Sequence, residues 1–357
     1  MSEQASSDAA PHRSLVVRAV LRTDVGLVRS ENQDFGVCTT PSEERDAHAA
    51  GRLLVVADGM GGHRGGATAS RIAGETVKAQ FLGSETSDIA TALRESLTRA
   101  NARIYSEAHS NPDLRGMGTT TSALAVRGDH AWLAHVGDSR IYLVRDDTIR
   151  QLTEDHSLVA TMVREGLLTP QEAEVHPRRN VLQRSMGVSD DVEIDIRGPF
   201  QLREGDTFIL CSDGLHGLVK EQELKEIAQG TIEDAADEFL RRALERGAPD
   251  NVTVIVARVE QGDGLDVSSY DETLTDADTQ KLIAVTDEEL RETDKIRVVG
   301  AEESSSGSSV PRSSSGPSGN PRRGTSRNSE ELRGTRWPWL ILILVLGAAG
   351  AWYYLSQ

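Results

Sequence analysis

The sequence predicts an α+β domain, a linker and a C-terminal membrane-spanning helix. Between residues 15 and 259, short apolar runs bounded by Gly or Asp indicate buried strands, and longer amphipathic stretches indicate helices. From residue 260 the composition turns acidic, then rich in Ser, Gly, Pro and Arg, and residues 337–355 carry no charge. We therefore predict a domain (15–259), a flexible linker (260–336) and a transmembrane helix (337–355).

The composition excludes several classes of protein. The net charge of −17 argues against nucleic acid as a partner, because phosphate backbones are bound through a surplus of Lys and Arg. The two cysteines, Cys38 and Cys211, show no disulfide or zinc-site spacing. The polar first 13 residues contain no apolar core, so we predict no cleaved secretory signal.

The amphipathic stretches fall into two pairs of consecutive helices. One pair is predicted at 66–82 and 88–108, and the other at 221–229 and 233–246. The apolar runs between the pairs are typical of strands in a sandwich core.

The region after the domain separates into a spacer and an anchor. Residues 260–303 hold 14 acids and 4 bases, and the Ser/Gly/Pro/Arg run that follows has too few large apolar groups to offset the entropy of ordering it. A helix over 337–355 would be about 28 Å long, at ~1.5 Å per residue, close to the hydrocarbon core of a bilayer at ~30 Å. Trp and Tyr stand at both ends of this segment, and five Arg between 322 and 336 precede it. We therefore predict a single-pass protein of the cell membrane with a cytoplasmic domain.

Four predicted strands have an aspartate at one end, namely Asp58, Asp138, Asp213 and Asp250. One Asp-Gly at a strand end is usually turn chemistry. Four of them, together with Asp34, would repel one another at a common rim unless cations hold them. Oxygen ligands favour Mg²⁺ or Mn²⁺, and the sequence therefore predicts an oxygen-ligated metal site.

A pair of such ions is suited to the hydrolysis of phosphate esters, because it lowers the pKa of a bridging water and clamps the attacking and leaving oxygens. A phosphate also needs a fixed cation, preferably the planar fork of an arginine. Arg29, five residues before Asp34, is the candidate. The alternative for Arg29 is a solvated surface charge.

Six motifs, in this order, resemble the PPM family of metal-dependent serine/threonine phosphatases, the type 2C enzymes, in its bacterial form. They are Arg-Ser-Glu-Asn-Gln-Asp (29–34), Val-Ala-Asp-Gly-Met-Gly-Gly-His (56–63), Gly-Met-Gly-Thr-Thr (116–120), His-Val-Gly-Asp-Ser-Arg (135–140), Cys-Ser-Asp-Gly-Leu (211–215) and Asp-Asn-Val-Thr (250–253). The resemblance covers residues 15–259.

The resemblance implies a four-layer α/β/β/α sandwich of two antiparallel sheets flanked by helices. It implies that Asp58 bridges two Mg²⁺ or Mn²⁺ ions and that the Gly59 carbonyl binds one of them. Asp213 and Asp250 would complete the shell, and Asp34 would act through a metal-bound water. By the same resemblance Arg29 would hold the phosphate, Asp138 would stand where bacterial members support a third metal, and the segment from 152 to 180 would form a flap beside the site.

The sequence departs from the family pattern at three positions. Met60 stands where animal members have a His proposed as general acid, so proton delivery to the leaving alcohol falls to a metal-bound water. Gln33 replaces a Glu, as in bacterial relatives. Gly217 stands where many members have an Asp that helps to hold the third metal, which predicts that Asp138 binds a third ion weakly or serves as a turn residue.

The resulting prediction is a membrane-anchored protein phosphatase that hydrolyses phosphoserine and phosphothreonine by attack of a hydroxide bridging two metal ions. Its expected partners are phosphorylated proteins, including serine/threonine kinases and their substrates. The alternative is a catalytically weak regulator that binds phosphoproteins at the membrane. The intact positions at Asp58, Gly59, Asp213 and Asp250 favour the enzyme.

Overall fold

A computed structural model describes residues 14–39, 51–62 and 64–262. Within those ranges no helix is both long and apolar enough to cross a membrane. The predicted transmembrane helix at 337–355, and the predicted linker from 263 on, lie outside the described residues, as does His63.

Eleven strands in the described ranges form two sheets, and every pairing is antiparallel. The first sheet has the order β1-β11-β10-β7-β8. Its strands are β1 (Ser14–Asp24), β7 (Arg140–Arg145), β8 (Thr148–Gln151), β10 (Thr207–Cys211) and β11 (Val252–Gly262).

The second sheet has the order β2-β3-β5-β6-β9, with the short β4 added beside the end of β3. Its strands are β2 (Asp34–Cys38), β3 (Arg52–Met60), β4 (Gly118–Thr119), β5 (Thr121–Arg127), β6 (His130–Val136) and β9 (Asp195–Gln201).

The helices lie outside the sheets and in the connections. Two long ones, α1 (Gly65–Leu82) and α2 (Ile89–Ser110), follow β3. Short helices α3 (Leu158–Arg164) and α4 (Pro170–Glu174) lie between β8 and β9. Three more separate β10 from β11: α5 (Asp213–His216), α6 (Glu221–Ile227) and α7 (Ile232–Glu245).

Alternation along the strands produces the layers. In β3, Leu53, Val55 and Ala57 share a buried cluster with apolar residues of α1 and α2. The intervening Leu54 and Val56 pack instead against the first sheet, because successive strand side chains point to opposite faces.

The strand β10 repeats this arrangement on the other sheet. Phe208 and Leu210 join the cluster between the sheets, whereas Ile209 and Cys211 pack against α6 and α7. Both β3 and β10 are buried on both faces and therefore read as continuous apolar runs.

The prediction of two antiparallel sheets flanked by helices is confirmed, and each predicted helix pair matches the observed one to within two residues at every end. One boundary differs in a way that matters for the site. The strand β3 runs through Asp58 and Gly59 to Met60 and does not stop at Ala57, because Asp58 pairs with Asp34 and Gly59 pairs with Thr119. The candidate ligands of β3 are therefore held in a regular ladder.

Candidate metal centre

The second sheet places two aspartates side by side. Asp34 begins β2 and lies directly opposite Asp58 in the antiparallel register. The Gly59 N–H donates to the Gln33 carbonyl at 3.0 Å, so the pairing continues past the aspartates. A side chain at Gly59 would lie 2.1 Å from the Gly66 carbonyl oxygen, and only glycine fits where β3 meets α1.

The first sheet contributes two more aspartates from neighbouring strands. Asp213 lies two residues after β10 and begins α5, and Asp250 lies two residues before β11. The antiparallel pairing of β10 with β11 brings the end of one strand to the start of the other, and the Ser212 N–H donates to the Thr253 carbonyl at 3.1 Å. Asp213 and Asp250 therefore lie at the same edge of this sheet.

Two side chains connect these edges across the gap between the sheets. Ser212 Oγ donates to Asp34 Oδ2 at 2.7 Å. Asn251 Oδ1 accepts the Gln33 N–H at 2.8 Å, while its amide nitrogen donates to the carbonyls of Val25 and Glu31 at 2.9 Å each. Both residues adjoin predicted ligands, but sequence reasoning did not single them out. The feature of the sequence that could have identified them is a polar side chain directly beside the aspartate of each motif.

The backbone of Asp58 is fixed by two threonines that sequence reasoning also missed. Thr119 Oγ1 donates to the Asp58 carbonyl at 2.8 Å, and the Thr120 N–H donates to the same oxygen at 2.8 Å. Thr120 Oγ1 accepts the Asp58 N–H at 3.0 Å. The Gly-Thr-Thr motif therefore holds the backbone of Asp58 and leaves its carboxylate free for a ligand.

The carboxylates of the centre raise one another's pKa values. Burial raises the pKa of Asp34 to about 7 and that of Asp213 to about 6, and the charge of Asp250 adds to both rises. The pKa of Asp58 is raised well above its usual value, first by burial and then by Asp34 and Asp213. Asp34 is buried, whereas Asp58, Asp213 and Asp250 keep partly exposed surface that a cation can reach.

The donor set fits oxygen-ligated divalent cations. Asp34 Oδ1 is buried without a hydrogen-bond partner in the described part of the chain, so it is available to a water or an ion. Within the same residues, no three His, Cys, Asp or Glu side chains form a group that could hold an ion by themselves. Carboxylate and carbonyl oxygens are the ligands that Mg²⁺ and Mn²⁺ prefer.

Asp138 lies in the turn between β6 and β7, where burial raises its pKa to about 8 and the charges of Asp213 and Asp155 add to the rise. Its backbone carbonyl lies 3.0 Å from His216 Nε2. Burial and the charge of Arg140 lower the pKa of His216 to about 3, so the ring is neutral and donates through Nε2. Gly217 ends α5 and supplies no oxygen beside Asp138.

Arg29 lies against the carboxylates. Its Nη2 donates to Asp250 Oδ2 at 2.7 Å, although 52% of the side chain remains exposed. The hydrogen bond to Asp250 raises the pKa of Arg29, and the charges of Asp58 and Asp213 act in the same direction. Arg29 therefore lies beside the predicted ligands with half of its side chain in solvent, and its binding of phosphate stays a prediction.

The predicted flap, residues 152–180, lies in the connection between β8 and β9, and backbone bridges fix this connection at two places. Ser157 bridges to Leu182, and Met186 bridges to Thr119, the residue that holds Asp58. Asp155, at the start of the flap, accepts Arg140 Nη2 at 2.7 Å, and His156 Nδ1 accepts the Gly137 N–H at 3.1 Å. The flap base is thereby attached to the turn that carries Asp138.

One flap arginine acts on the cluster, since the charge of Arg179 opposes the rise in the pKa of Asp213. Met60 is partly buried beside Gly118 and cannot donate a proton. Cys211 is buried, and burial raises the pKa of its thiol to about 12, so it is an inert core residue.

Comparisons with known proteins agree with this geometry. Residues 42–247 match the family model described as Protein phosphatase 2C. The serine/threonine phosphatase stp of Listeria innocua is 40% identical over 247 residues, which are 67% of this chain and 95% of that protein. The serine/threonine protein phosphatase PstP of Mycobacterium tuberculosis is 37% identical over 248 residues, and the match spans 69% of this chain and 46% of PstP.

Solved structures show the same fold. The crystal structure of the M. tuberculosis phosphatase PstP/Ppp superimposes with a TM-score of 0.61 at 37% identity, over 69% of this chain and 99% of that one. The catalytic domain of PstP in complex with two manganese ions gives a TM-score of 0.60 at 35% identity, over 69% of this chain and all of that one.

Proposed function

This chain belongs to the protein phosphatase 2C family as a metal-dependent serine/threonine protein phosphatase, and we propose that it acts on phosphoproteins at a membrane. The observation that carries the proposal is the meeting of Asp34, Asp58, Asp213 and Asp250 at one end of the two sheets. The raised pKa values of Asp34, Asp58 and Asp213 indicate a site built for cations.

Two divalent ions are proposed to bind at this rim, where Asp58, the Gly59 carbonyl, Asp213 and Asp250 would hold them. The PstP catalytic domain with two manganese ions supports the number and the kind of ion. When bound, such ions lower the pKa of water and stabilise the attacking and leaving oxygens of a phosphate ester.

The residues of the chain then have separate roles. Arg29 is proposed to hold two phosphate oxygens, because its guanidinium lies beside the carboxylate rim and its planar fork matches a phosphate. Asp34 is held by Ser212 through one oxygen, and its other oxygen is suited to orient a water. Hydrolysis by direct attack of water needs no side-chain nucleophile, consistent with the inert Cys211.

Met60 supplies no proton, and we assign protonation of the leaving alcohol to water. A tight third ion is not proposed, because Gly217 offers no carboxylate to complement Asp138. Counting Mn²⁺ bound per chain by equilibrium dialysis should give two. A third tight ion that disappears in Asp138→Asn would contradict this count.

The anchor is proposed from residues 337–355, with the domain on the cytoplasmic side because of the arginines that precede this run. Phosphorylated kinases and their substrates are the proposed partners. Comparing membrane phosphoproteomes of cells with the wild-type chain and with an Asp213→Asn copy should show phosphoserine and phosphothreonine sites that accumulate. If no such site accumulated, the proposed substrate class would be wrong.

The central test is metal-dependent hydrolysis of p-nitrophenyl phosphate and a phosphothreonine peptide. Asp58→Asn, Asp213→Asn and Asp250→Asn should each abolish Mn²⁺-dependent turnover while circular dichroism shows an intact fold. Asp58→Asn and Asp213→Asn should be at least as stable as wild type in EDTA, because each removes a repelling charge, whereas Asp250→Asn also loses its ion pair with Arg29. Full activity of the wild-type chain in EDTA would refute the proposed function.

A further inference from the structure

The Arg29–Asp250 ion pair has a second meaning beyond phosphate binding. Among the described residues it is the one ion pair made by any of the five aspartates of the candidate centre. Its Nη2–Oδ2 distance of 2.7 Å is that of a full charge-assisted hydrogen bond. The aspartate cluster is therefore paired with a cation of the chain itself, the Arg29 guanidinium.

Both carboxylate oxygens of Asp250 accept a hydrogen bond. Oδ2 accepts from Arg29, and Oδ1 accepts the backbone N–H of Asn251 at 2.9 Å. The Asn251 bond is local and fixed by the backbone, whereas Arg29 lies on a half-exposed side chain that can move. An ion that binds Asp250 therefore competes with Arg29 for Oδ2.

The competition extends beyond one oxygen. Arg29 also feels the charges of Asp58 and Asp213, so a divalent ion among these carboxylates would repel the guanidinium that it replaces. The bond to Asp250 uses one of the five N–H donors of the guanidinium, and its loss frees that donor for a phosphate.

We propose that Arg29 is the internal counter-ion of the metal-free centre, which a divalent cation displaces from Asp250 and thereby releases to bind the substrate phosphate. The release step rests on the proposed function, because it takes Arg29 as the phosphate ligand. The displacement step does not, since it concerns metal affinity alone.

The counter-ion role and the phosphate-binding role of Arg29 predict opposite effects of removing its charge, so an experiment can separate them. Removing the Arg29 charge should tighten metal binding because a competitor is lost, and it should weaken phosphate binding because a ligand is lost. Arg29 is half exposed, so solvent and salt reduce the effect. We expect Mn²⁺ affinity to rise about three- to tenfold.

The test titrates Mn²⁺ into the full chain in detergent, stripped with EDTA and kept free of phosphate, and follows free Mn²⁺ by electron paramagnetic resonance. Arg29→Ala and Arg29→Gln remove the charge, the second with little loss of side-chain length. Arg18→Ala is the matched control, because Arg18 is 44% exposed and pairs with Glu233 at 3.0 Å from the middle of β1. Asp250→Asn should weaken Mn²⁺ binding and shows that the titration reports on this centre.

Tighter binding in both Arg29 variants, with Arg18→Ala unchanged, is the expected result. A change of less than twofold in the Arg29 variants, or an equal tightening in Arg18→Ala, overturns the counter-ion role. Neither result depends on turnover, so a failure of the proposed phosphatase activity would be seen separately in the Asp213→Asn assay.

Discussion

Ser212 Oγ donates a 2.7 Å hydrogen bond to Asp34 Oδ2 and joins the two sheets at the candidate metal centre. Ser212 follows β10 of the first sheet, and Asp34 begins β2 of the second. Ser212 Oγ also accepts the Thr253 N–H at 3.0 Å, so its position is set by the first sheet. The orientation of a buried carboxylate in one sheet is therefore determined by the other.

Ser212→Ala should destabilise the protein and reduce its activity. The substitution leaves the Thr253 N–H and a buried carboxylate oxygen without a partner, which costs about 1–3 kcal/mol. Urea unfolding and the rate of p-nitrophenyl phosphate hydrolysis in Mn²⁺ measure the two effects. Ser96→Ala is the control, because Ser96 is buried but donates only to the Ala92 carbonyl within α2. Equal losses in both variants would contradict a role at the site.

Stability in EDTA should fall between pH 7 and pH 8. The pKa of Asp34 is about 7 and that of Asp138 about 8 in the folded state, so both bind protons there that the unfolded chain has already lost. Since the folded state binds more protons, raising the pH costs stability, with an upper limit of about 1.4 kcal/mol per pH unit for each proton.

The histidines do not oppose this effect in that range. The pKa values of His135 and His216 are lowered to about 4 and about 3 in the folded state. The stability that these two histidines add as the pH rises is therefore gained below about pH 6.5. Thermal unfolding at pH 7 and 8, with EDTA or with saturating Mn²⁺, tests the prediction. The slope should shrink with Mn²⁺ and also in Asp138→Asn; equal or greater stability at pH 8 in EDTA would show that the carboxylates are already ionised at pH 7.

Arg29→Ala should raise KM for phosphorylated substrates with a smaller change in kcat. A charge-assisted arginine–phosphate contact contributes about 1.5–3 kcal/mol, which corresponds to about a ten- to hundredfold loss in kcat/KM. Steady-state kinetics at saturating Mn²⁺ measure it, with Arg18→Ala as the control of equal charge change. An unchanged KM would remove Arg29 from phosphate binding.

Deleting residues 337–357 should move the chain from the membrane to the soluble fraction, because this removes the one long uncharged apolar run of the sequence. Hydrolysis of p-nitrophenyl phosphate should persist, since the domain that carries the centre is retained. A second deletion, of 304–328, removes a similar length of linker and should leave the chain at the membrane. Continued membrane association of the first deletion would rule out the proposed anchor.

The two helix pairs, the buried strands and the identity of the carboxylates could all be predicted from the sequence. The helices follow from a local period, and β3 and β10 are recognisable because burial on both faces requires continuous apolar residues. The aspartates were visible because each stands at a strand end beside Gly, Ser or Asn.

Which residues of the candidate centre are in contact depends on the tertiary structure. The extension of β3 through Gly59 depends on pairing with Thr119, 60 residues later, and the contacts of Ser212 and Asn251 with the β1–β2 loop and with Asp34 join opposite ends of the chain. The Arg29–Asp250 pair likewise spans 221 residues. Hydrophobic pattern is a local property, whereas hydrogen bonds and ion pairs at the rim depend on how the two sheets are packed together, and no period in the sequence encodes that.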